Sequence, residues 1–207
     1  MLLVLVIGLI GKEKMSILHL EKKGLRCLAI AESFKQNSER SILSGLIMRK
    51  DFVIDGFVFG SAALKGNDAT DQILHMYEEL HRSDVNYLLL SGLIVSMYNI
   101  INIKKLFDLL KIPIIGIAYR ESTGIENAIK QHFPKSFESK INEYKKLGKR
   151  EKITLHTSHN LFVRYEGCTI SEVTRLLNEL TLHGSIPEPL RVSQLLANAL
   201  LQKGLSF

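Results

Sequence analysis

The sequence has few cysteines. Only Cys27 and Cys168 occur among 207 residues, and they lie far apart in the chain. Two such cysteines supply neither a disulfide scaffold nor the four ligands of a structural zinc site. We therefore expect reduced thiols in an ordinary globular protein, because a hydrophobic content of 46% is enough for one substantial core.

Glycine-rich phosphate-binding motifs are absent. Neither G-x-G-x-x-G nor G-x-x-x-x-G-K-[ST] occurs anywhere in the chain. Dinucleotide-dependent oxidoreductases and P-loop NTPases use these motifs to bring backbone N–H groups close to phosphates. Both classes of enzyme are therefore poorly supported.

Long hydrophobic runs are also missing. The most apolar stretch, "MLLVLVIGLI" at residues 1–10, is about half the length that spans a bilayer, which takes roughly 20 residues. It lacks the preceding positive charges and the small-residue cleavage site of a signal peptide. We interpret residues 1–14 as an apolar extension, either read from a start upstream of the natural Met15 or forming an extra buried strand, with a membrane anchor as the weakest alternative. We expect a single domain over 15–207, no stable membrane insertion and a cytoplasmic location.

Basic residues exceed acidic ones, 27 against 21, which gives a formal net charge of +6. This balance favours acidic partners such as DNA or RNA. Most of the excess lies in residues 135–152, where a solvated helix followed by a turn and a phosphate-binding patch explain the charge equally well. Phe137 and Tyr144 are the only aromatic residues there and are not interleaved with the cations, so stacking on single-stranded bases is not indicated. The candidate phosphate contacts are Lys145, Lys146, Lys149, Arg150 and, further along the chain, Arg191.

The apolar pattern predicts an α/β fold. Residues 25–33, 41–50 and 52–64 read as three strands, and the short joint between the second and third favours antiparallel pairing. The pattern then alternates between helices and strands, which predicts parallel crossovers. These later elements are a helix at 68–81, a strand at 87–91, a helix at 101–110, a strand at 113–118 and a helix at 125–132. The sheet is therefore predicted to be mixed, with helices flanking it.

Chemical markers predict several helix limits. Thr169 and Glu172 have the spacing of a capping box, and so do Thr123 and Glu126. Pro189 stands where the first turn of a helix can accept a missing N–H group. Leucine-rich helices are predicted at 173–182 and 190–201.

Isolated polar residues offer only weak evidence for catalysis. Asp68 precedes a predicted helix, and an N-cap role with Asp71 in the first turn is favoured over a catalytic one. Asp55 is equally well explained as a strand or bulge residue. His156 and His159 would point to opposite faces of an extended chain, which does not support a metal site.

Six segments resemble an archaeal endonuclease-dU-like family, whose relatives include endonuclease V. They are "LAIAESF", "IMRKDFVIDG", "GNDAT", "LLLSGLIVSMYNIINI", "IPIIGIAY" and, most specifically, "GSIPEPLRV". The resemblance extends from about Leu25 to Ala199. It implies an RNase H-like fold and descent from nucleases that cut at deaminated bases with carboxylate-bound Mg²⁺.

The sequence departs from this family at acidic positions. Ala31 and Glu32 stand where many relatives have two aspartates, Ser91 stands where they have another, and Asn102 replaces a frequent aspartate. Asp68 is retained. Glu32 is not a simple substitute for Ala31, because neighbouring residues of a strand face opposite sides of the sheet.

Three hypotheses follow. The first is a nucleic-acid-binding protein with a depleted carboxylate metal site, in which cleavage is weak or absent. The second is an active endonuclease on deoxyuridine- or deoxyinosine-containing DNA or RNA, with Asp68 and Glu32 as catalytic acids. Its Mg²⁺ or Mn²⁺ would be held by Asp68, Glu32, Ser91 and waters. The third is an oligomeric interaction module that uses the leucine-rich helices at 173–182 and 190–201.

Overall fold

The computed structural model describes residues 18–205 and 207, so the predicted extension at 1–14 and the start at Met15 lie outside the described residues. The strands are β1 (Arg26–Ser33), β2 (Arg40–Arg49), β3 (Ile54–Ala63), β4 (Tyr87–Ser91), β5 (Ile94–Val95), β6 (Asn99–Ile100), β7 (Ile114–Ala118), β8 (Glu151–Thr154) and β9 (Asn160–Glu166). The helices are α1 (Ala69–Glu79), α2 (Ile103–Leu110), α3 (Glu126–His132), α4 (Phe137–Lys146), α5 (Ile170–Leu180) and α6 (Glu188–Gln202).

Seven strands form one mixed sheet in the order β3-β2-β1-β4-β7-β9-β8. The first three strands pair antiparallel, and β1, β4 and β7 pair parallel. Both features were predicted from the sequence and are confirmed. Strands β9 and β8 extend the sheet by antiparallel pairing beyond β7. These two strands were not predicted.

Helices cover both faces of the sheet. Side chains such as Leu28 and Ile30 pack with α1 to α4 on one face, which we call the α1 face. Ala29 and Leu89 pack with α5 and α6 on the other, which we call the α6 face. Strand β4 is apolar along most of its length because it contributes to both cores.

The leucine-rich helices use their apolar residues within the protein. Leu176, Leu177, Leu180 and Leu190 are fully buried against the α6 face. Leu182 and Leu195 are each 55% exposed. Four of the nine leucines in the two predicted helices are therefore core residues.

The capping predictions had mixed outcomes. The Thr169–Glu172 capping box is present, and Pro189 lies in the first turn of α6 as expected. The predicted capping box at Thr123 is wrong, because α3 begins after Ile125 and has no side-chain cap. Among the residues that the structure describes, no helix combines the length and apolar character needed to cross a membrane.

The assumption of extended chain around His156 and His159 is also wrong. Both residues lie in the turn that joins β8 to β9. His156 contacts the side chain of Asn178, and His159 contacts the carbonyl group of Thr157. The turn, and not the alternation of a strand, therefore sets the directions of the two rings.

Candidate functional site

The ends of β1 and β4 lie side by side at the edge where ligands of open α/β sheets commonly bind. Ile30 pairs with Leu90, so Ala31 and Ser91 follow as neighbours on adjacent strands. Alternation directs these two side chains to the α6 face and directs Glu32 to the α1 face. The three positions therefore do not converge on one point.

The Glu32 carboxylate is hydrogen-bonded to the backbone and does not face an open site. Both of its carboxylate oxygens accept from the N–H group of Ser96, at 2.8 and 2.9 Å. Burial raises the pKa of Glu32 to about 7, although the hydrogen bonds from Ser96 oppose this rise. On the other side, the Gln194 amide donates to the Glu32 carbonyl oxygen at 2.7 Å and connects β1 to α6.

Glu32 helps to hold an unusual turn between β5 and β6. Ser96, Met97 and Tyr98 all have left-handed backbone angles, with φ of 46°, 55° and 77°. Such angles are unfavourable for residues other than glycine and persist only where the surroundings impose them. The Ser96 carbonyl accepts from the N–H of Lys65 at 2.6 Å, and its hydroxyl contacts that of Ser41 at 2.8 Å. We call Ser96–Tyr98 the left-handed turn.

Asp68 occupies the predicted N-cap position of α1, but its side chain forms no capping hydrogen bond. It accepts instead from the N–H of Ala63 at 3.0 Å, from the Asn99 amide at 2.7 Å and from the Arg40 guanidinium at 3.0 Å. Burial opposes ionisation, but these three donors outweigh it and lower the pKa of Asp68. Asp68 therefore connects β3, β6 and the start of β2.

Two further polar candidates have local partners. Asp55 lies at the start of β3, at the opposite end of that strand from Ala63, and pairs with Arg26. The Asn102 side chain caps α2 by accepting from the N–H of Lys105 at 2.9 Å. The structure does not bring Asp55 and Asp68 together.

The predicted basic residues divide between separate surfaces. Lys145, Lys149 and Arg150 line one groove beside the loop after β7. Lys146 lines another cavity, together with acidic residues that include Glu143 and Glu166. Arg191 belongs to α6 and forms contacts of 2.7 to 2.9 Å with Glu188. Only three of the five predicted residues therefore share a surface.

The structure adds residues from β8 and β9 that sequence reasoning missed. Arg164 lines the same groove as Arg150, and Phe162 and Lys152 lie beside them. Buried Leu161 and Val163 alternate with partly exposed Phe162 and Arg164. This period of two was the available signal of a strand, and it also predicts that Phe162 and Arg164 share a face.

Comparison with known proteins identifies the family. A family model described as Endonuclease dU matches residues 23–201. The chain belongs to this family. A UPF0215 protein from Pyrobaculum aerophilum is 32% identical over 176 residues, which are 84% of this chain and 94% of the relative.

Solved structures show the fold of this Endonuclease dU protein. A protein of unknown function from Archaeoglobus fulgidus superimposes with a TM-score of 0.71 and 23% identity, covering 85% of this chain and 98% of that one. Ciona intestinalis endonuclease V, bound to a 24-mer DNA that contains inosine, gives a TM-score of 0.57 and 14% identity over 87% of both chains. The fold is RNase H-like, as the sequence resemblance implied.

The resemblance noted in the sequence implies a carboxylate-bound metal ion, but the described side chains do not form a site that fits one. Among residues 18–205 and 207, no three His, Cys, Asp or Glu side chains are grouped so that they could hold a metal. Asp68 faces a guanidinium group, which repels a divalent cation, and Glu32 is engaged with Ser96. Ser91 offers only a neutral oxygen. Hard cations such as Mg²⁺ need charged oxygen ligands.

Replacing Glu32 with glutamine is expected to change the free energy of unfolding, relative to wild type, more favourably at pH 8 than at pH 5. The folded-state pKa of about 7 exceeds the ordinary glutamate value of 4.5, so wild-type stability falls as pH rises through this interval. Glutamine does not ionise, so the variant does not lose stability in this way as pH rises. The difference in unfolding free energy between variant and wild type should grow by about 2 kcal/mol over that range.

Urea unfolding at several pH values measures this effect. Glu138→Gln, at an exposed position of α4, is the matched control for the loss of one charge. Parallel pH profiles for Glu32→Gln and wild type would contradict the assignment.

Proposed function

We propose that this protein binds DNA or RNA through the groove formed by Lys145, Lys149, Arg150 and Arg164, and that it cleaves phosphodiesters weakly or not at all. The observation that carries the proposal is the different placement of the basic and the acidic side chains. Cations line a groove beside the strand ends, whereas the Glu32 and Asp68 carboxylates have internal partners. Clustered cations bind phosphates independently of sequence.

The comparisons support nucleic acid as the partner. Ciona intestinalis endonuclease V binds DNA and shares this fold. The groove lies beside Gly92 and Ala118, just after β4 and at the end of β7, where open α/β sheets commonly bind ligands. Glu121 and Glu126 lie along its margin and temper the positive charge.

Binding is expected to weaken steeply with salt. If three or four cations contact phosphates of a single strand, raising salt from 50 to 200 mM should weaken affinity about 30-fold. Fluorescence anisotropy with labelled DNA and RNA measures this dependence. No complex at low salt, or an affinity that is flat in salt, would contradict the proposal.

A matched pair of variants tests the location. Lys149→Ala should weaken binding and flatten the salt dependence, because it removes a cation of the groove. Arg191→Gln should leave both unchanged, because Arg191 is paired with Glu188 on the other layer of helices.

The second candidate is a Mg²⁺- or Mn²⁺-dependent endonuclease acting on deaminated bases, which the family's description favours. Labelled DNA and RNA containing uracil or hypoxanthine, incubated with each metal, separate the two candidates. Binding without metal-dependent cleavage is expected. Metal-dependent cleavage that Glu32→Gln abolishes while the protein remains folded would establish the nuclease.

A further inference from the structure

Helices cover the α1 face of the sheet only in part beyond β7, where α2 contacts β9 and Tyr144 of α4 lies against Arg164. The α1-face core includes Ile114 of β7 but, within residues 18–205 and 207, no residue of β8 or β9. The opposite side of these two strands is buried, with Leu161 and Val163 in the α6-face core. The part of the α1 face around Phe162 borders two cavities and is therefore available to a ligand.

This part of the α1 face has an aromatic ring among small residues. Ala118, Phe162 and Lys152 form one row across β7, β9 and β8, and Gly116 pairs with Arg164 in the next row. Phe162 is partly exposed and belongs to neither core. Ala118 leaves space beside the ring, so a flat molecule can approach it, whereas the Leu93 side chain fills the space over Gly116. We call Phe162, Arg164, Arg150 and Lys152 the β9 platform.

The two arginines of the platform are held in place by neutral groups. The Arg164 Nε donates to the Gly148 carbonyl at 2.9 Å, and its guanidinium lies 5.6 Å from the centre of the Tyr144 ring. Arg150 donates to the Ser122 carbonyl at 3.1 Å. Both arginines line a cavity of about 190 Å³ that also contains Phe162. The cations are therefore positioned before any ligand binds.

The charge of the platform suits an anion. Arg150 and Arg164 form no ion pair with a carboxylate in the part of the chain that the structure describes. Burial lowers the pKa of Arg164, and the nearby charge of Arg150 lowers it further. A phosphate placed between the two guanidinium groups would relieve this repulsion, and planar arginine suits phosphate geometry.

We propose that the β9 platform binds single-stranded nucleic acid, with one base stacked on Phe162 and the adjacent phosphates on Arg150 and Arg164. The inference rests on the proposed function and specifies its strand state. In a duplex the faces of the bases are already stacked on each other, so a duplex can use the cations but not the ring. Aromatic stacking is the usual means of holding unpaired bases on a sheet surface.

The test compares strand states with the full-length protein. The probes are a fluorescein-labelled 12-mer of thymidine, the matching 12-mer of uridine and a duplex of equal length. Phe162→Ala should weaken single-strand binding about tenfold or more, and duplex binding should change less than twofold. Phe162→Tyr retains the ring and should bind as wild type. Phe57→Ala removes a phenylalanine that is 48% exposed on the far edge strand β3 and should have no effect.

A second variant distinguishes a loss of single-strand affinity caused by the missing ring from one caused by misfolding. Phe162→Leu keeps an apolar side chain without a π face, and it should lose the same single-strand affinity while its melting temperature stays near that of wild type. A 2-aminopurine in the labelled strand should be quenched by wild type and not by this variant.

The outcomes separate the two proposals. If wild type binds nucleic acid but Phe162→Ala and Phe162→Leu bind equally well, the proposal for the β9 platform is wrong and the proposed function stands. An equal loss for single strand and duplex also overturns the platform, because the ring would then act only through the fold. If wild type binds no nucleic acid at low salt, both proposals fail.

Discussion

Replacing Asp68 with alanine is expected to lower the free energy of unfolding by about 3 kcal/mol, well above the cost of a lost helix cap, which is about 1 kcal/mol. The carboxylate accepts from the N–H of Ala63, the Asn99 amide and the Arg40 guanidinium. Alanine would leave these donors without their acceptor. Arg40 would keep its contacts with Ser61, which limits the loss.

Urea unfolding of Asp68→Ala and Asp71→Ala provides the comparison. Asp71 lies in the first turn of the same helix, and its exposed carboxylate pairs with Lys105. Its removal should cost less than about 1 kcal/mol. A double-mutant cycle between Asp68 and Asn99 should be non-additive, because the two side chains are bonded. Equal effects at positions 68 and 71 would show that Asp68 acts only as a helix-end charge.

Replacing Lys140 with methionine should have an effect of similar size. Lys140 lies in the basic stretch at 135–152, which a solvated helix and a phosphate-binding patch explained equally well, but only 4% of Lys140 is exposed. Its ammonium group donates to the carbonyl groups of Gly66 and Tyr98 and to the side chain of Asn67. Methionine keeps the length and apolar stem but donates nothing. A loss of about 3 kcal/mol is expected, because three partly buried hydrogen bonds would be lost and the carbonyl groups of Gly66 and Tyr98 would lose this donor.

Lys145→Met is the matched control, because Lys145 is exposed on the same helix. It should change stability by less than about 0.5 kcal/mol. Amide hydrogen exchange adds a local measurement. Lys140→Met should speed the exchange of the Ser96 N–H group, since Lys140 holds the far end of the left-handed turn at Tyr98. Unchanged exchange would mean that Glu32 and Ser41 hold the turn without Lys140.

These two predictions concern one assembly. Glu32, Asp68 and Lys140 belong to different elements, and each is bonded to the left-handed turn or to Asn99 immediately after it. We infer that Glu32, Asp68 and Lys140 together hold the left-handed turn and the residues around it. The contacts of Glu32 and Asp68 within the protein account for the acidic residues at these two positions.

Local sequence patterns predicted much of the fold. The three apolar segments joined by short turns indicated antiparallel strands, and the alternation after Asp68 indicated parallel crossovers. Both signals depend on neighbouring residues, because strand and helix periods are local properties. Strand β8 was missed because it begins within the lysine-rich stretch. The alternation in Asn160–Glu166, which predicts β9, was not recognised after that stretch.

The candidate site was less accessible to sequence reasoning. The patterns correctly separated Glu32 from the face of Ala31, because alternation along a strand requires it. They could not show that Arg40 meets Asp68, that Ser96 meets Glu32, or that Lys140 is buried. These partners are 28, 64 and between 42 and 74 residues apart in the chain.

The sequence by itself determined the main strands and helices as far as β7, the family and the scarcity of acids at the strand ends, since these depend on residue types and local spacing. The tertiary structure alone decided which charges are neutralised within the protein and which remain available to a ligand. Lys140 is buried and donates to oxygens within the protein and Arg191 pairs with Glu188, whereas Arg150 and Arg164 line one cavity beside Phe162. The physical reason is that a charge interacts over a few ångströms in space, whatever the separation along the chain.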